Sequence, residues 1–256
     1  MKPLITCHHV HYTYHTLQGE TPALCDIHFQ VNEGEFISIV GPSGCGKSTL
    51  LSLLCGLLTP ESGTIHFKGE PVSDKNRCRI GYMLQHDHLF EWRSVKKNIL
   101  LGLEIQKKLS EESRLEAEHF LKLYGLYPFR DAKPSQLSGG MRQRAALIRT
   151  LLLHPELLLL DEPFSALDYQ TRLKVCDDIG SIIRKTGKTA ILVTHDLSEA
   201  ISLGDKVIVL TSLPASVQNV VTTDFTKDLS PLGRRNTDAF KDYFNQIWKE
   251  LNPYEQ

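Results

Sequence analysis

The sequence predicts an α/β fold built on a mainly parallel sheet, and three observations support this prediction. First, four apolar runs are typical of strands buried on both faces: residues 36–40, "LLLLDEP", "TAILVTH" and "KVIVL". Second, segments with helical periodicity separate these runs, and one of them, "DYQTRLKVCDDIGSIIRKTG", ends at Gly187 as a C-terminal cap. Third, strands that alternate with helices along a chain are typical of a parallel sheet covered on both faces.

Two regions interrupt this alternation. The first 35 residues and the stretch "SGTIHFKGEPV" are short and alternate polar with apolar residues, which predicts an N-terminal antiparallel β subdomain. Between about residues 87 and 155 no convincing strand pattern is present, and we expect an inserted helical subdomain there. One of its helices follows Ser110, a typical N-cap residue, with Glu111 and Glu112 in the first turn. The apolar face of this helix consists of Ala117, Phe120, Leu121 and Tyr124.

The C-terminal tail, residues 211–256, contains a second amphipathic helix. Its apolar stripe consists of Ala239, Phe240, Tyr243, Phe244, Ile247, Trp248 and Leu251. We favour packing of this stripe back onto the rest of the chain, and an interface with another protein is the alternative. On this interpretation the whole chain, residues 1–256, forms one domain.

Composition and charge narrow the possible functions. The 256 residues are 41% hydrophobic and 23% charged, as is typical of a globular protein. The 29 basic and 30 acidic residues give a net charge of −1 and form no basic stripe, which disfavours nucleic acid as a partner. The longest uncharged apolar stretch, "TLLSLLCGLLTP", has about half the length of a spanning helix, so we expect the chain not to cross a membrane alone.

Cysteines and histidines are the residues to examine for a metal site. The six cysteines show neither close pairing nor ligand spacing, and we interpret them as reduced thiols of a cytosolic protein. Four histidines lie near the N-terminus: His8, His9, His11 and His15. A metal site is one interpretation of this group, and a polar edge strand with solvated histidines is the favoured one.

The strongest motif is a glycine-rich loop between the strand at residues 36–40 and a predicted helix. Residues 41–48 match G-x-x-x-x-G-K-[ST] in full. Glycines allow backbone N–H groups to close around phosphate oxygens, Lys47 neutralises the β and γ phosphates, and Ser48 offers its hydroxyl to Mg²⁺. A turn that merely joins two elements would not require the lysine. The predicted nucleotide-binding residues are Gly41, Pro42, Ser43, Gly44, Cys45, Gly46, Lys47, Ser48 and Thr49.

Two adjacent acids follow the run of leucines at residues 157–160. Asp161 is expected near the Mg²⁺. Glu162 comes next, and neighbouring residues at a strand end point in different directions. One acid can therefore serve the metal and the other the attacking water. A pair of solvated surface acids is the alternative interpretation.

Three further polar or aromatic residues are candidates for the same site. His195 ends "LVTH" at the edge where parallel sheets bind ligands, and we expect it to contact the terminal phosphate, although taken alone it would be a structural histidine. Gln85 follows the apolar run "RIGYML" and carries little information by itself. Tyr14, in "VHYTYHT", is a candidate to stack on an adenine ring, and packing within the sheet is an equally good interpretation.

A second glycine pair precedes a predicted helix in "LSGGMRQR", residues 137–144. Ser138, Gly139 and Gly140 would offer a hydroxyl and backbone N–H groups to an anion at the helix N-terminus. This stretch contains no lysine. The chain therefore presents two phosphate cradles, of which only one has a lysine.

Together these motifs strongly resemble the ATP-binding subunit of ABC transporters over nearly the whole chain. In the terms of that family the chain has Walker A "GPSGCGKST", Q-loop Gln85, signature "LSGGMRQR", Walker B "LLLLDEP", D-loop "SALD" and switch His195. The resemblance implies a P-loop NTPase core, the cofactors ATP and Mg²⁺, and ATP hydrolysis. It implies nucleotide contact by Asp168, Mg²⁺ contact by Ser48, Gln85 and Asp161, and catalytic roles for Glu162, His195, Lys47 and Gln85.

The resemblance also explains the two cradles. In this family two copies face head to tail, so that ATP held by Lys47 of one copy is capped by the signature serine and glycines of the other. It implies a homodimer in the ATP-bound state, two transmembrane permease subunits, an indirect link to a solute-binding protein, and no nucleic acid. The implied location is the cytoplasmic face of a prokaryotic cell membrane.

Within the family, "LSGGMRQR", "DEPFSALD", "VTHDLSEA" and the short tail look most like the importer branch for nitrate, sulfonates, taurine and pyrimidine vitamin precursors. The chain departs from the family at Met141, where glutamine is usual. It departs from the branch at Glu91, which precedes Trp92 where Pro-Trp is usual, in the stretch expected to meet the membrane subunit.

Three functions share some of these motifs. An import ATPase is the favoured prediction, and an ABC ATPase of an exporter or of a nucleic-acid-linked process is the alternative. ABC ATPases of nucleic-acid-linked processes typically have long coiled-coil insertions, paired cassettes or basic linkers, and this sequence shows none of these features. A P-loop metabolic kinase would explain the phosphate loop and leave "LSGG" and "SALD" without a role.

Overall fold

Two β-sheets and eight α-helices make up the described part of the chain. The computed structural model describes residues 3–17, 19–165, 167–226 and 229–252. In these residues the strands are β1 (Pro3–Thr16), β2 (Gly19–Asn32), β3 (Phe36–Val40), β4 (Ser62–Phe67), β5 (Glu70–Pro71), β6 (Ile80–Met83), β7 (Leu157–Asp161), β8 (Thr189–Val193), β9 (Lys206–Leu210) and β10 (Val217–Thr222). The helices are α1 (Lys47–Leu54), α2 (Val95–Ile105), α3 (Glu111–Leu123), α4 (Gly139–Leu151), α5 (Tyr169–Lys185), α6 (Leu197–Leu203), α7 (Pro231–Arg235) and α8 (Asp238–Leu251). None of these helices has both the length and the apolar character needed to cross a membrane.

The central sheet has the strand order β10-β9-β3-β8-β7-β6, and each neighbouring pair is parallel except β10 with β9. In β7, Leu158 and Leu160 face a core shared with helices α2 to α5. Leu157 and Leu159 face a second core, shared with α1 and the N-terminal sheet. Because successive side chains of a strand point to opposite faces, this burial explains the unbroken run of leucines. The predicted α/β core is confirmed.

The N-terminal sheet is antiparallel, as predicted, with the order β2-β1-β4-β5. Strand β1 pairs with β2 on one side and β4 on the other, so the interpretation of the histidine-rich start as an edge strand is wrong. Alternation shows which face of a strand meets solvent but not how many neighbours the strand has. His9 Nδ1 lies 2.6 Å from the Asp26 carboxylate, and His15 lies between Glu20 and Glu61. Among the described residues, no three His, Cys, Asp or Glu side chains are arranged to hold a metal ion.

Helices α2, α3 and α4 lie between β6 and β7 along the chain, and residues 87–155, all of which are described, contain no strand. Ser110 caps α3, since its hydroxyl accepts the N–H of Ser113 over 3.1 Å. Ala117 and Leu121 of α3 are fully buried in the core below the helices. The division of the chain into a core, a helical subdomain at 87–155 and a tail at 211–256 stays a prediction. Residues 227, 228 and 253–256 of that tail lie outside the described residues.

Helix α8 packs along the outside of β9 and α6. Ile247 is fully buried there, beside Val207 and Val209 of β9. Trp248 is 47% exposed and stacks on Phe244, with ring centroids 6.1 Å apart. The other members of the stripe are partly buried against the same core: Ala239, Phe240, Tyr243, Phe244 and Leu251. Packing onto the domain therefore accounts for most of the apolar stripe in the tail.

Candidate functional site

The glycine-rich loop joins β3 to α1 and has a backbone shape that glycine adopts without strain. Gly44 and Gly46 have φ angles of 75° and 111°, in the left-handed region. A side chain at Gly46 would also lie 3.1 Å from the carbonyl oxygen of Ala23. Helix α1 begins directly after this glycine, at Lys47. The loop therefore ends at a helix N-terminus, where backbone N–H groups and the helix dipole favour phosphate.

Lys47 is buried in this loop and only 6% exposed. Its ammonium donates to the carbonyl oxygens of Gly41 and Pro42, over 2.9 and 2.8 Å, and lies 3.9 Å from the Cys45 sulfur. Burial raises the pKa of the Cys45 thiol, so this neighbour stays neutral. The loop thus fixes one positive charge at the place from which a lysine neutralises phosphate.

Asp161, at the end of β7, and Ser48, in the first turn of α1, bring together oxygen atoms that can bind a cation. The Ser48 hydroxyl donates to one carboxylate oxygen of Asp161 over 3.1 Å, and the Tyr82 hydroxyl donates to the other over 3.0 Å. Burial raises the pKa of the Asp161 carboxyl, although the hydrogen bonds from Tyr82 and Ser48 act in the opposite direction. Both carboxylate oxygens of Asp161 are therefore held in place. Carboxylate and hydroxyl oxygens, as in Asp161 and Ser48, suit a hard cation such as Mg²⁺.

Glu162 lies in a strained turn directly after β7. Its φ of 43° is in the left-handed region, which costs a non-glycine residue about 1–2 kcal/mol. Its N–H donates to the carbonyl of Val193 in β8 over 2.9 Å, which fixes the turn. Its carboxylate accepts from the Gln85 amide over 3.4 Å and lies 3.1 Å from Nδ1 of His195. Residues that follow three different strands therefore meet at one carboxylate.

The phosphate loop and this carboxylate open onto one cavity of about 500 Å³. That volume lies within the range of small-molecule sites. The lining residues are Ser43, Gly44, Gly46, Lys47, Ser48, Thr49, Glu162 and His195. The cavity combines a positive charge, a helix N-terminus, a carboxylate and an imidazole, which is the set of groups needed to hold a phosphate chain and attack its end with water.

Tyr14 lies beside the phosphate loop. Its hydroxyl is 3.0 Å from the hydroxyl of Thr49, which lines the cavity. Its ring is 40% exposed and packs edge-on against Tyr12, with centroids 5.1 Å apart. An exposed aromatic ring in this position agrees with stacking on a nucleotide base, and this role stays a prediction.

The signature residues form a separate group. Ser138 caps α4, and its hydroxyl accepts the N–H of Met141 over 3.4 Å. Gly139 and Gly140 form the first turn of that helix, and Asp168 caps α5 in the same way as Ser138 caps α4. None of these capping or glycine residues is among the described residues that line the cavity. In a single chain the two cradles are therefore separate. Ala166 of the predicted D-loop lies outside the described residues.

Sequence reasoning missed two residues of the site. Tyr82 is part of the apolar run "RIGYML", and nothing in that pattern reveals that its hydroxyl reaches Asp161. Ser165 accepts from the Gln85 amide over 3.4 Å and donates to the carbonyl of Glu162 over 3.0 Å. The sequence does show a phenol in an otherwise apolar strand and a serine three residues after the acid, but neither pattern identifies the residue that it contacts.

Comparisons with known proteins agree with this geometry. A family model described as "ABC transporter" matches residues 24–165. An ABC transporter ATP-binding protein of Bacillus subtilis (strain 168), YtlC, described as uncharacterized, is 45% identical over 251 residues, covering 97% of this chain and 95% of that protein. The nitrate import ATP-binding protein NrtD of Synechocystis sp. is 41% identical over 211 residues, covering 82% and 79%.

Solved structures give the same result for the fold. A dimeric structure of the ATP-binding cassette MJ0796, in a post-hydrolysis state bound to ADP and Pi, has a TM-score of 0.74 and 30% identity. It covers 87% of this chain and 100% of its own. The family match spans more than half of the chain, and the cavity is lined by the phosphate loop, Glu162 and His195. The chain belongs to the ABC transporter family, as one of its ATP-binding ATPases.

Proposed function

We propose that this chain is the ATP-hydrolysing subunit of an ABC importer at the cytoplasmic face of a prokaryotic membrane. It would drive two permease subunits, and through them a solute-binding protein, to take up a small solute of the nitrate, sulfonate, taurine or vitamin-precursor kind. The relatives named for nitrate import support this choice of branch: NrtD at 41% identity and NrtC of Synechococcus elongatus at 38%.

The observation that carries the proposal is the separation of the two phosphate cradles. Lys47 lines the cavity, while Ser138 caps a helix outside its lining. A head-to-tail homodimer brings the serine cradle of one copy to the lysine cradle of the other. The dimeric structure of the MJ0796 cassette supports this arrangement.

The residues that line the cavity and those bonded to them fit ATP and Mg²⁺. Ser48, Gln85 and Asp161 offer a hydroxyl, an amide oxygen and a carboxylate, which are the donors that Mg²⁺ prefers, and Mg²⁺ there would neutralise charge on the β and γ phosphates. Lys47 holds the same phosphates from the loop. Glu162 orients the attacking water and accepts its proton, and His195 contacts the γ-phosphate.

The surface proposed for permease docking is a pair of exposed aromatic rings, Phe90 and Trp92. These two residues, here called the docking surface, are 38% and 72% exposed, and their rings stack with centroids 4.6 Å apart. Exposed, pre-ordered aromatic pairs are typical of protein-binding surfaces. The docking surface begins five residues after Gln85, whose amide donates to Glu162, so one short segment of chain connects a partner bound there to the catalytic carboxylate.

Copurification tests the proposal. Tagged chain is produced in its native cells, membranes are solubilised in mild detergent, and bound proteins are identified by mass spectrometry. We expect an integral membrane permease to copurify, and replacing Trp92 by Ala to reduce its yield. Trp248→Ala, which changes the other exposed tryptophan, is the matched control and should leave the yield unchanged.

Uptake of labelled solutes fixes the direction of transport. Cells that lack the gene should fail to accumulate one solute of the named classes, and wild-type chain but not Glu162→Gln should restore accumulation. Increased accumulation in the deletion strain would indicate an exporter instead. Copurification with nucleic acid and no membrane protein would contradict the proposal.

A further inference from the structure

Two arginines of α4 hold the segment from Asp87 to Glu91, here called the linking segment. Arg142 donates from Nε and Nη2 to the two carboxylate oxygens of Asp87, over 2.8 and 3.1 Å. Its Nη1 donates to Glu91 over 2.8 Å. Arg149, two helical turns further on, donates to the backbone carbonyls of Asp87 and His88 over 2.7 and 2.9 Å. Side chains and backbone of the segment are therefore both attached to α4.

Helix α2 holds the same segment from the other side. Asn98 is fully buried, and its amide accepts the N–H of Phe90 over 2.7 Å and donates to the carbonyl of Phe90 over 3.1 Å. Burial opposes ionisation of Asp87, but the hydrogen bonds from Arg142 outweigh it and lower the pKa of this carboxyl. The linking segment is thus held between two helices by ion pairs to Arg142 and by hydrogen bonds to its backbone, although it is neither helix nor strand.

Through Arg142, the linking segment connects two sites of the proposed importer. The first is the docking surface, which begins within the segment at Phe90. The second is the signature serine at the start of α4, where the backbone N–H of Arg142 donates to the carbonyl of Ser138 over 2.9 Å. The guanidinium that holds the segment therefore belongs to a residue one helical turn from the serine proposed to cap the partner copy's ATP.

We propose that Arg142 is a positioning residue that makes Ser138 and the docking surface move together, with Asp87 and Glu91 as its two anchors; this inference rests on the proposed importer dimer. Asp87 is the stronger anchor because its pair with Arg142 is bidentate and its side chain only 17% exposed. Glu91 is 51% exposed and weaker.

ATP-dependent dimerisation tests the ion pairs. In a Glu162→Gln background, in which hydrolysis is slow, Arg142→Gln should weaken the dimer about tenfold and Glu91→Gln about threefold, in line with a bidentate and an exposed pair. The double substitution of Arg142 and Glu91 should be no worse than Arg142→Gln alone. Affinity of the monomer for a fluorescent ATP analogue should not change. The matched control, Glu118→Gln, breaks an ion pair with Lys96 and should leave the dimer as it is.

A fluorescence reporter tests the shared movement directly. The chain has two tryptophans, so Trp248→Phe leaves Trp92 of the docking surface as the only one. In the Glu162→Gln background, ATP-driven dimerisation should shift the emission of Trp92. With Arg142→Gln, at protein concentrations where the dimer still forms, the shift should be lost, and Arg142→Lys should restore part of it.

The outcomes separate this inference from the proposed function. If the Glu162→Gln parent fails to dimerise with ATP, the proposed function and the inference both fail. If the parent dimerises but the losses of the Arg142 and Glu91 variants are additive, the ion pair does not act as proposed. If ATP does not shift the emission of Trp92 in the parent, the inference alone is overturned. The same holds if the shift is equal in the parent and in the Arg142→Gln variant.

Discussion

At the scale of single residues, the site gives two neighbouring carboxylates different environments. Asp161 is 7% exposed and bonded at both oxygens, so it has one fixed orientation. The Glu162 side chain is 22% exposed, lines the cavity with His195 and accepts a hydrogen bond from Gln85. The left-handed turn at Glu162 separates the two acids. A fixed, buried carboxylate suits a cation, and a more accessible one suits a water molecule.

Replacing Glu162 by Gln should leave ATP affinity unchanged and reduce turnover about 10²- to 10⁴-fold, the usual effect of losing a general base. The amide keeps the size of the side chain but cannot accept a proton. Phosphate release measures turnover, and gel filtration with ATP should show an accumulated dimer. Glu156→Gln, at the other end of the same strand, removes ion pairs to Arg79 and Lys68 and should leave turnover unchanged. Near-normal turnover of Glu162→Gln would assign the base elsewhere.

Replacing Tyr14 by Ala should weaken ATP binding several-fold or more, because stacking of an aromatic ring on a base is worth about 1–3 kcal/mol. Tyr14→Phe keeps the ring and loses only the hydroxyl contact with Thr49, so its affinity should be close to that of the wild type. Titration with a fluorescent ATP analogue measures both. If Tyr12→Ala weakens binding and Tyr14→Ala does not, the adenine platform is the neighbouring ring.

At the scale of elements, the sequence predicts those features that local patterns record. Strands buried on both faces are continuous apolar runs, and the residues that follow them, such as Asp161 and His195, are therefore placed correctly at one edge of the sheet. Pairing between distant strands leaves no such local record. For this reason the neighbours of β1 and the hydroxyl contact of Tyr82 with Asp161 could not be predicted. The positive φ of Glu162 could not be predicted either, because the N–H of this residue bonds to Val193 of the neighbouring strand β8.

The first turn of α6, which begins two residues after His195, contains a buried acid. Glu199 is 3% exposed, accepts from the hydroxyl of Thr194 over 2.6 Å, and lies 3.9 Å from Nε of Arg172. Burial raises the pKa of the Glu199 carboxyl to about 7, against the effect of the Thr194 hydrogen bond and together with the nearby charge of Asp196. Folding therefore favours the protonated acid.

This pKa makes a prediction about stability and pH. The folded-state pKa of Glu199, about 7, lies above the ordinary glutamate pKa of 4.5, so its contribution to stability is fully present below pH 4.5 and is lost as the pH rises to about 7. Glu199→Gln does not ionise. Its free energy of unfolding relative to the wild type should therefore increase by about 2–3 kcal/mol between pH 5 and pH 8. Urea unfolding at both pH values measures this difference, and an unchanged difference would contradict the burial argument.

At the scale of the whole molecule, the two phosphate cradles of one chain are separate, and we propose that each is half of a site shared between two chains. The cavity is lined by Lys47 and by Glu162, the proposed base, and the proposed metal ligand Asp161 bonds to Ser48 of its lining, whereas Ser138 caps a helix that adds no residue to that lining. A serine at a helix N-terminus offers a hydroxyl and backbone N–H groups, which suit a phosphate already neutralised by a lysine. Hydrolysis is therefore expected to depend on association of two chains and to rise with protein concentration.

Mixed mutants test this division of labour. Ser138→Arg should still bind ATP through its own Lys47 loop, but should neither dimerise nor hydrolyse, because a bulky cation replaces a short contact to the γ-phosphate. Lys47→Ala should lose ATP affinity and activity. In a head-to-tail dimer of one chain of each kind, one composite site carries both lesions and the other carries neither. Mixing the two inactive variants should therefore restore part of the ATPase activity.

The matched control for this mixture is a chain with both substitutions. Mixed with either single variant it leaves no composite site intact, since every site then lacks Lys47 or Ser138. Activity should return only in the mixture of the two single variants and should depend on the total protein concentration. Because a site completed within one chain would not need a partner, robust hydrolysis by Ser138→Arg as a dilute monomer would rule out the shared site.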